Sequence, residues 1–83
     1  FHKNNMKLIL LLKQNLIGRK ISFYINFDPN HLKTDTIKSF TKMGAFCDIE
    51  TQEGYLLTIS IYEDLHEYEG SLYIQTFATK IKK

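Results

Sequence analysis

The chain has no tryptophan, one proline, one cysteine and four glycines among its 83 residues. A single cysteine, Cys47, excludes a disulfide framework and a four-cysteine zinc site, and fits a reducing compartment such as the cytoplasm. The scarcity of proline and glycine excludes collagen-like and low-complexity classes. Long apolar runs are missing as well. The longest, residues 8–12, covers five positions, against the ~20 that a membrane-spanning helix needs. Lys7 precedes that run as in a secretory signal, but Lys13, Gln14 and Asn15 end it without a small-residue cleavage site. The reading is neither leader nor anchor. Residues 1–5 stand ahead of the first methionine, as a cloning remnant or the interior of a longer chain would.

Apolar content is present in quantity: hydrophobic residues make up 43% and aromatic residues 13%. That is enough for one folded domain over residues 1–83. A chain of this length buries only about 60% of its unfolded surface, so a partner or a second copy would add stability.

Periodicity supplies the expected elements. Residues 4–17 read as a helix ended by Gly18, with a buried strand over residues 8–12 as the rival reading. Residues 20–27 alternate apolar and polar, the pattern of a half-buried strand. Asp28 and Pro29 suit a helix start, and Leu32, Thr36, Ile37, Phe40 and Met43 then share one helical face up to Gly44. Residues 46–51 and 55–62 read as a hairpin around a turn at 52–54, and residues 63–70 as a polar loop or one or two helical turns. Residues 71–78 form a last strand before a basic tail over 79–83. The expected fold is therefore α+β, in the order α-β-α-β-β-β, with a four-stranded, mainly antiparallel sheet and helices packed on it.

Strand phase divides the sheet residues between two faces. Ile21, Phe23, Ile25, Phe27, Cys47, Ile49, Leu57, Ile59, Ile61, Leu72 and Ile74 fall on the expected core face. Tyr24, Phe46, Leu56, Tyr62, Tyr73 and Phe77 fall on the other. So much aromatic surface implies a cover: the N-terminal helix, a second copy or a ligand.

Charge is segregated along the chain. Residues 1–42 hold eight basic and two acidic side chains, whereas residues 44–78 hold seven acidic and no basic ones. Such a segment is either a solvated face or a surface for a basic partner. No phosphate loop, dinucleotide fingerprint, nucleophile elbow or metal signature occurs. His2, His31 and His66 share no ligand spacing with Cys47. Asp28 beside His31 is explained by helix capping, and His66 among acidic residues by an exposed loop. The sequence thus predicts a protein without catalytic residues, cofactor or metal.

Three stretches, Phe23-Tyr24-Ile25-Asn26, residues 37–44 ending Phe40-Thr41-Lys42-Met43-Gly44, and Gly54-Tyr55-Leu56-Leu57, resemble the first half of an RNA-recognition motif. The resemblance implies a β-α-β-β-α-β order and a base stacked on Tyr24. The chain departs from that pattern at Leu57, where a stacking aromatic is expected, and at Glu53, where a basic residue is usual. Residues 63–70 are too few for the second helix, and Asp48 and Glu50 would repel phosphate.

The leading expectation is a non-catalytic protein-interaction module, such as a small inhibitor or immunity-type protein. It would cover a basic partner with its acidic segment 48–69, through Asp48, Glu50, Glu63, Asp64, Glu67, Glu69, Tyr62 and Tyr73. A single-stranded nucleic-acid binder using Tyr24, Tyr62, Tyr73, Lys38 and Lys42 is the alternative. A dimerisation domain or a fragment of a larger protein is the third reading.

Overall fold

The computed structural model describes residues 4–25 and 30–80, with the backbone alone for Asn4, Asn5, Phe77, Thr79 and Lys80. Among these residues the order is β1 (Asn4–Lys7), α1 (Leu8–Leu11), β2 (Lys20–Ile25), β3 (Leu32–Met43), β4 (Phe46–Thr51), β5 (Tyr55–Ser60), β6 (Asp64–Tyr68) and β7 (Ser71–Lys80). The strands join in the order β1-β6-β7-β2-β3-β4-β5, and β5 pairs back onto β7. Five strands, β2, β3, β4, β5 and β7, thereby close into a ring, with β6 and β1 extending one side of it. Closure removes the unpaired edges that an open sheet would leave on those strands. All pairings are antiparallel except β2 with β7.

The expected α+β architecture with a four-stranded sheet is corrected by this topology: the described residues are mostly strand, in one seven-stranded mixed sheet, and their one helix is the four-residue α1. The largest revision concerns residues 28–43, where the expected helix is replaced by β3 over residues 32–43. Asp28 and Pro29 lie outside the described residues. Thr34, Thr36, Ile37, Phe40 and Thr41 are β-branched or aromatic and suit a pleated strand. The helical spacing comes from a bulge. Ile37 stands opposite Thr51, Ser39 opposite Glu50 and Phe40 opposite Ile49, which leaves Lys38 as an extra residue. Ile37 and Phe40 therefore face inward three positions apart, as a helix would space them. Leu32 and Met43, the ends of the supposed helical stripe, are exposed.

The N-terminal helix over residues 4–17 is likewise corrected to a strand and a single helical turn. Strand β1 takes its hydrogen bonds from β6, with Met6 opposite Leu65. In α1, Leu8 and Leu11 are buried, as is Leu16 beyond it, whereas Leu10 and Ile17 remain exposed. Asn15 accepts a hydrogen bond from the Ile17 amide at 3.1 Å, a local turn that diverts the chain from further helix. Residues 63–70, expected as loop or helical turns, contain β6, whose Leu65 is buried. With β3 in place of its first helix, the chain does not have the element order of an RNA-recognition motif.

The expected core face is largely observed. Ile21, Phe23, Ile25, Cys47, Ile49, Leu57, Ile59, Ile61, Leu72 and Ile74 are all buried, while Phe27 lies outside the described residues. The ring encloses them and the N-terminal leucines close over them, so no second helix is required.

Tyr68 pairs with Ser71 across a two-residue turn in which Glu69 has φ 52° and Gly70 φ 83°. Two successive positive φ values make this a type I′ hairpin turn, which favours Asn-Gly. Glu69 carries a side chain poorly suited to that conformation. Glu69→Asn is expected to stabilise the domain by about 0.5–1 kcal/mol, read as a rise of a few degrees in melting temperature.

Candidate binding face

The acidic segment does not assemble into one surface. The structure pairs it with the basic first half of the chain, through Lys7–Asp64 at 3.0 Å, Arg19–Glu67 at 2.7 Å, Lys33–Glu53 at 2.7 Å and Lys38–Glu50 at 3.6 Å. Each bridge joins segments that lie far apart in the sequence and meet only on folding, so much of the segregation along the chain is neutralised on the surface. Asp48 accepts a hydrogen bond from the Thr58 hydroxyl at 2.8 Å. Strands β5 and β7 one way round the ring, and β3, β2 and β7 the other, stand between the β4 pair, Asp48 and Glu50, and Asp64 and Glu67 on β6. Glu63 and Glu69 are exposed.

The aromatic residues divide too. Phe46 and Leu56 lie on β4 and β5, on the outer side of the ring, and Tyr62 is exposed beyond β5. Lys38 and Lys42 lie on the distal half of β3 and are exposed. The nucleic-acid set of Tyr24, Tyr62, Tyr73, Lys38 and Lys42 is therefore not brought together. Of that set, Tyr24 and Tyr73 do meet.

They meet on the outer face of β6, β7, β2 and β3. Cross-strand register sets His66 beside Tyr73, Tyr73 beside Ser22, and Ser22 beside Thr34. The flanking positions hold Tyr68 beside Ser71 and Tyr24 beside Leu32. Period-two geometry sends the neighbours of these residues, Leu65, Leu72, Ile21 and Phe23, into the core. The outer row is thus positioned by the same alternation that builds the interior.

Hydroxyl contacts order this face. The Tyr24 and Tyr73 hydroxyls lie 2.7 Å apart, with their rings edge to face at 6.3 Å. The hydrogen bond with Tyr24, and to a lesser degree burial, raise the Tyr73 phenol above its ordinary pKa, so it stays neutral near physiological pH. The His66 ring centroid lies 6.1 Å from that of Tyr73, and the Ser22 and Thr34 hydroxyls are 2.7 Å apart. Between these groups runs a groove of about 420 Å³, lined by Ser22, His66, Tyr68, Ser71 and Tyr73 with Leu32 and Leu72. Tyr73 was expected at a working surface, whereas His66 (read as an exposed acidic loop residue), Tyr68 and Ser71 were not. A strand phase assigned to residues 64–68 would have placed His66 and Tyr68 beside it.

Other chemistry is sparse. No cluster of three metal-ligating side chains occurs among the described residues. Cys47 is fully buried, and burial pushes its thiol pKa up, which disfavours the reactive thiolate. No helix among the described residues is long and apolar enough to cross a membrane. Comparison with family models, with curated proteins and with solved structures finds no match to this chain.

Proposed function

We propose that this chain is a non-catalytic protein-binding module whose contact surface is the outer face of β6, β7, β2 and β3. The observation that carries this reading is the composition of that face. Tyr24, Tyr68, Tyr73 and His66 stand among Ser22, Thr34 and Ser71, beside the ion pairs Lys7–Asp64 and Arg19–Glu67 and the exposed Lys20, which donates to the Thr36 hydroxyl. Tyrosine gives large contact area at low entropic cost, and small hydroxyl residues give adaptable hydrogen bonds, the mixture that antibody-type recognition surfaces use. Single-stranded nucleic acid needs a basic groove beside its stacking rings. Here Lys7 and Arg19, the cations next to β6, are committed to Asp64 and Glu67. A cytoplasmic setting accords with the lone thiol buried in the core.

Affinity capture from the native source, comparing wild type with two variants, tests the proposal. A specific partner should be lost with Tyr73→Ala and retained with the double variant Glu63→Lys, Glu69→Lys. Loss only with the double variant would return the contact to the acidic segment. A salt-sensitive shift with short single-stranded RNA, abolished by Tyr24→Ala, would replace a protein partner with a nucleic acid.

A further inference from the structure

A short apolar row crosses the outer side of the ring at the end where β3 turns into β4. Met43 stands opposite Phe46, and Phe46 opposite Ser60. The Ile61 amide extends this ladder by donating to the Ala45 carbonyl at 2.9 Å, and the Tyr62 amide then donates to the Ser60 hydroxyl at 3.2 Å. Met43 and Tyr62, at 62% and 61%, are the two most exposed large apolar side chains among the described residues, and Phe46 between them is 53% exposed. We infer that two copies of the chain associate through this row, about a two-fold axis that runs along the strands between β4 and β5. The contact uses a face other than that of β6, β7, β2 and β3 and does not depend on the protein-binding reading above.

Charge and order decide the occupant. Lys42 borders the row beside Met43, and Glu63 borders it beside Tyr62. Both are exposed, and neither joins an ion pair among the described residues. The two ends of the row thus carry opposite charges. An anionic lipid surface or a partner of one charge sign favours a border of the opposite sign throughout. A row with a cation at one end and an anion at the other is instead complementary to its own reverse. A two-fold axis supplies that reverse, because residue i meets residue j at one contact and j meets i at the other. With the axis between β4 and β5, Phe46 lies over the partner's Ser60, Met43 over the partner's Tyr62, and Lys42 beside the partner's Glu63. Each pairing occurs twice. A thioether against a tyrosine ring is favourable, and the row leaves water on both copies. Asp48 and Thr58, the next outward-facing pair along the two strands, suit the same axis. Asp48 then faces the partner's Thr58, and it already accepts the hydroxyl of its own Thr58 at 2.8 Å, so no carboxylate is set over another.

Sedimentation of the full chain from about 5 μM to about 1 mM tests the pairing, with far-UV circular dichroism as the check on folding. The row is short, so the interface belongs with transient contacts under roughly 1,200 Å², and a dissociation constant on the order of 100 μM is expected. Phe46→Thr, which keeps a good strand former, should weaken association about tenfold or more. Lys42→Glu and Glu63→Lys each set like charges together at both symmetric contacts, and each should weaken it about tenfold. Mixed in equal amounts, these two charge variants should form a heterodimer about as tight as the wild-type dimer, because every altered charge then meets its opposite. Recovery on mixing also requires both variants to be folded. A wild type that stays monomeric throughout, a Phe46→Thr protein that associates like wild type, or a mixture no tighter than its separate components would overturn the inference. Association lost with Tyr73→Ala but kept with Phe46→Thr would also overturn it, and would place the second copy on the face of β6, β7, β2 and β3.

Discussion

Asp35→Asn is expected to destabilise the domain by about 2–3 kcal/mol at neutral pH, a drop of roughly 10–20 °C in melting temperature. Asp35 lies on β3, and its side chain is buried at 6% exposure beneath the turn between β4 and β5. One carboxylate oxygen accepts the Thr36 amide at 2.7 Å and the other accepts the Glu53 amide at 3.1 Å. The hydroxyl of Thr51, itself fully buried, adds a third hydrogen bond. Around this carboxylate the turn is otherwise backbone-bonded, with Gln52 donating to the Thr36 carbonyl at 2.9 Å and Gly54 to the Thr51 carbonyl at 3.0 Å. Asparagine has one acceptor where Asp35 has two. Its amide nitrogen would face one of these donors, leaving two buried donors against each other.

The same geometry predicts how the loss depends on pH. Burial pushes the Asp35 carboxyl upward. The hydrogen bonds from Thr51, Thr36 and Glu53, together with the Lys33 charge, outweigh that and hold it below the ordinary aspartate value. A carboxyl whose folded pKa is depressed stabilises the fold fully above its unfolded pKa, about 3.9, and ceases to do so as pH falls through the lower folded value. The stability gap between wild type and Asp35→Asn should therefore be constant from neutral pH to about 5 and narrow below about 4. Urea unfolding of both proteins across that range reads it directly. A gap of the same size at pH 3 and pH 7 would mean that the carboxylate charge contributes nothing to the turn.

The part of the fold legible in the sequence is the part governed by local alternation. In β2, Ile21, Phe23 and Ile25 announce both the strand and its inward face, and Cys47 and Ile49 do the same for β4. Those patterns need no knowledge of the partner strand. Strand β3 was hidden because its bulge places Ile37 and Phe40 three residues apart, which is indistinguishable from one helical face until the register with β4 is known. Strand β6 was hidden because Leu65 is its one buried apolar residue in a polar stretch. Strand β1 depends on hydrogen bonds from β6, far along the chain, and nothing local in Asn4–Lys7 requires extension.

The candidate face followed the same rule. Alternation in β2 and in β7 is enough to put Tyr24 and Tyr73 on one face. His66, Tyr68 and Ser71 joined them only once β6 was a strand paired to β7. The charge segregation was legible as composition, but its meaning was not. Whether seven acidic residues make a docking surface or a set of internal ion pairs depends on which strands become neighbours. In this topology Asp64, Glu67, Glu53 and Glu50 meet lysines and an arginine from the first half.

Phe23→Ala is expected to cost about 3–5 kcal/mol, a large share of the total stability of roughly 5–10 kcal/mol for a domain this size. Phe23 is fully buried on β2 between the buried Ile21 and Ile25, its ring 5.4 Å from that of Tyr55. Truncation would leave a cavity that the closed ring cannot readily collapse around, because its strands are fixed on both sides by hydrogen bonds. The adjacent residue supplies the control. Tyr24 faces outward, half-buried, with its hydroxyl on Tyr73, so Tyr24→Ala should cost only about 1 kcal/mol while removing the hydroxyl that sets the binding groove. Denaturant unfolding of the two variants, with unchanged dependence on denaturant, compares neighbouring positions on opposite faces of one strand. Equal costs would mean that β2 does not alternate between core and surface, and both the core and the outer face would have to be redrawn.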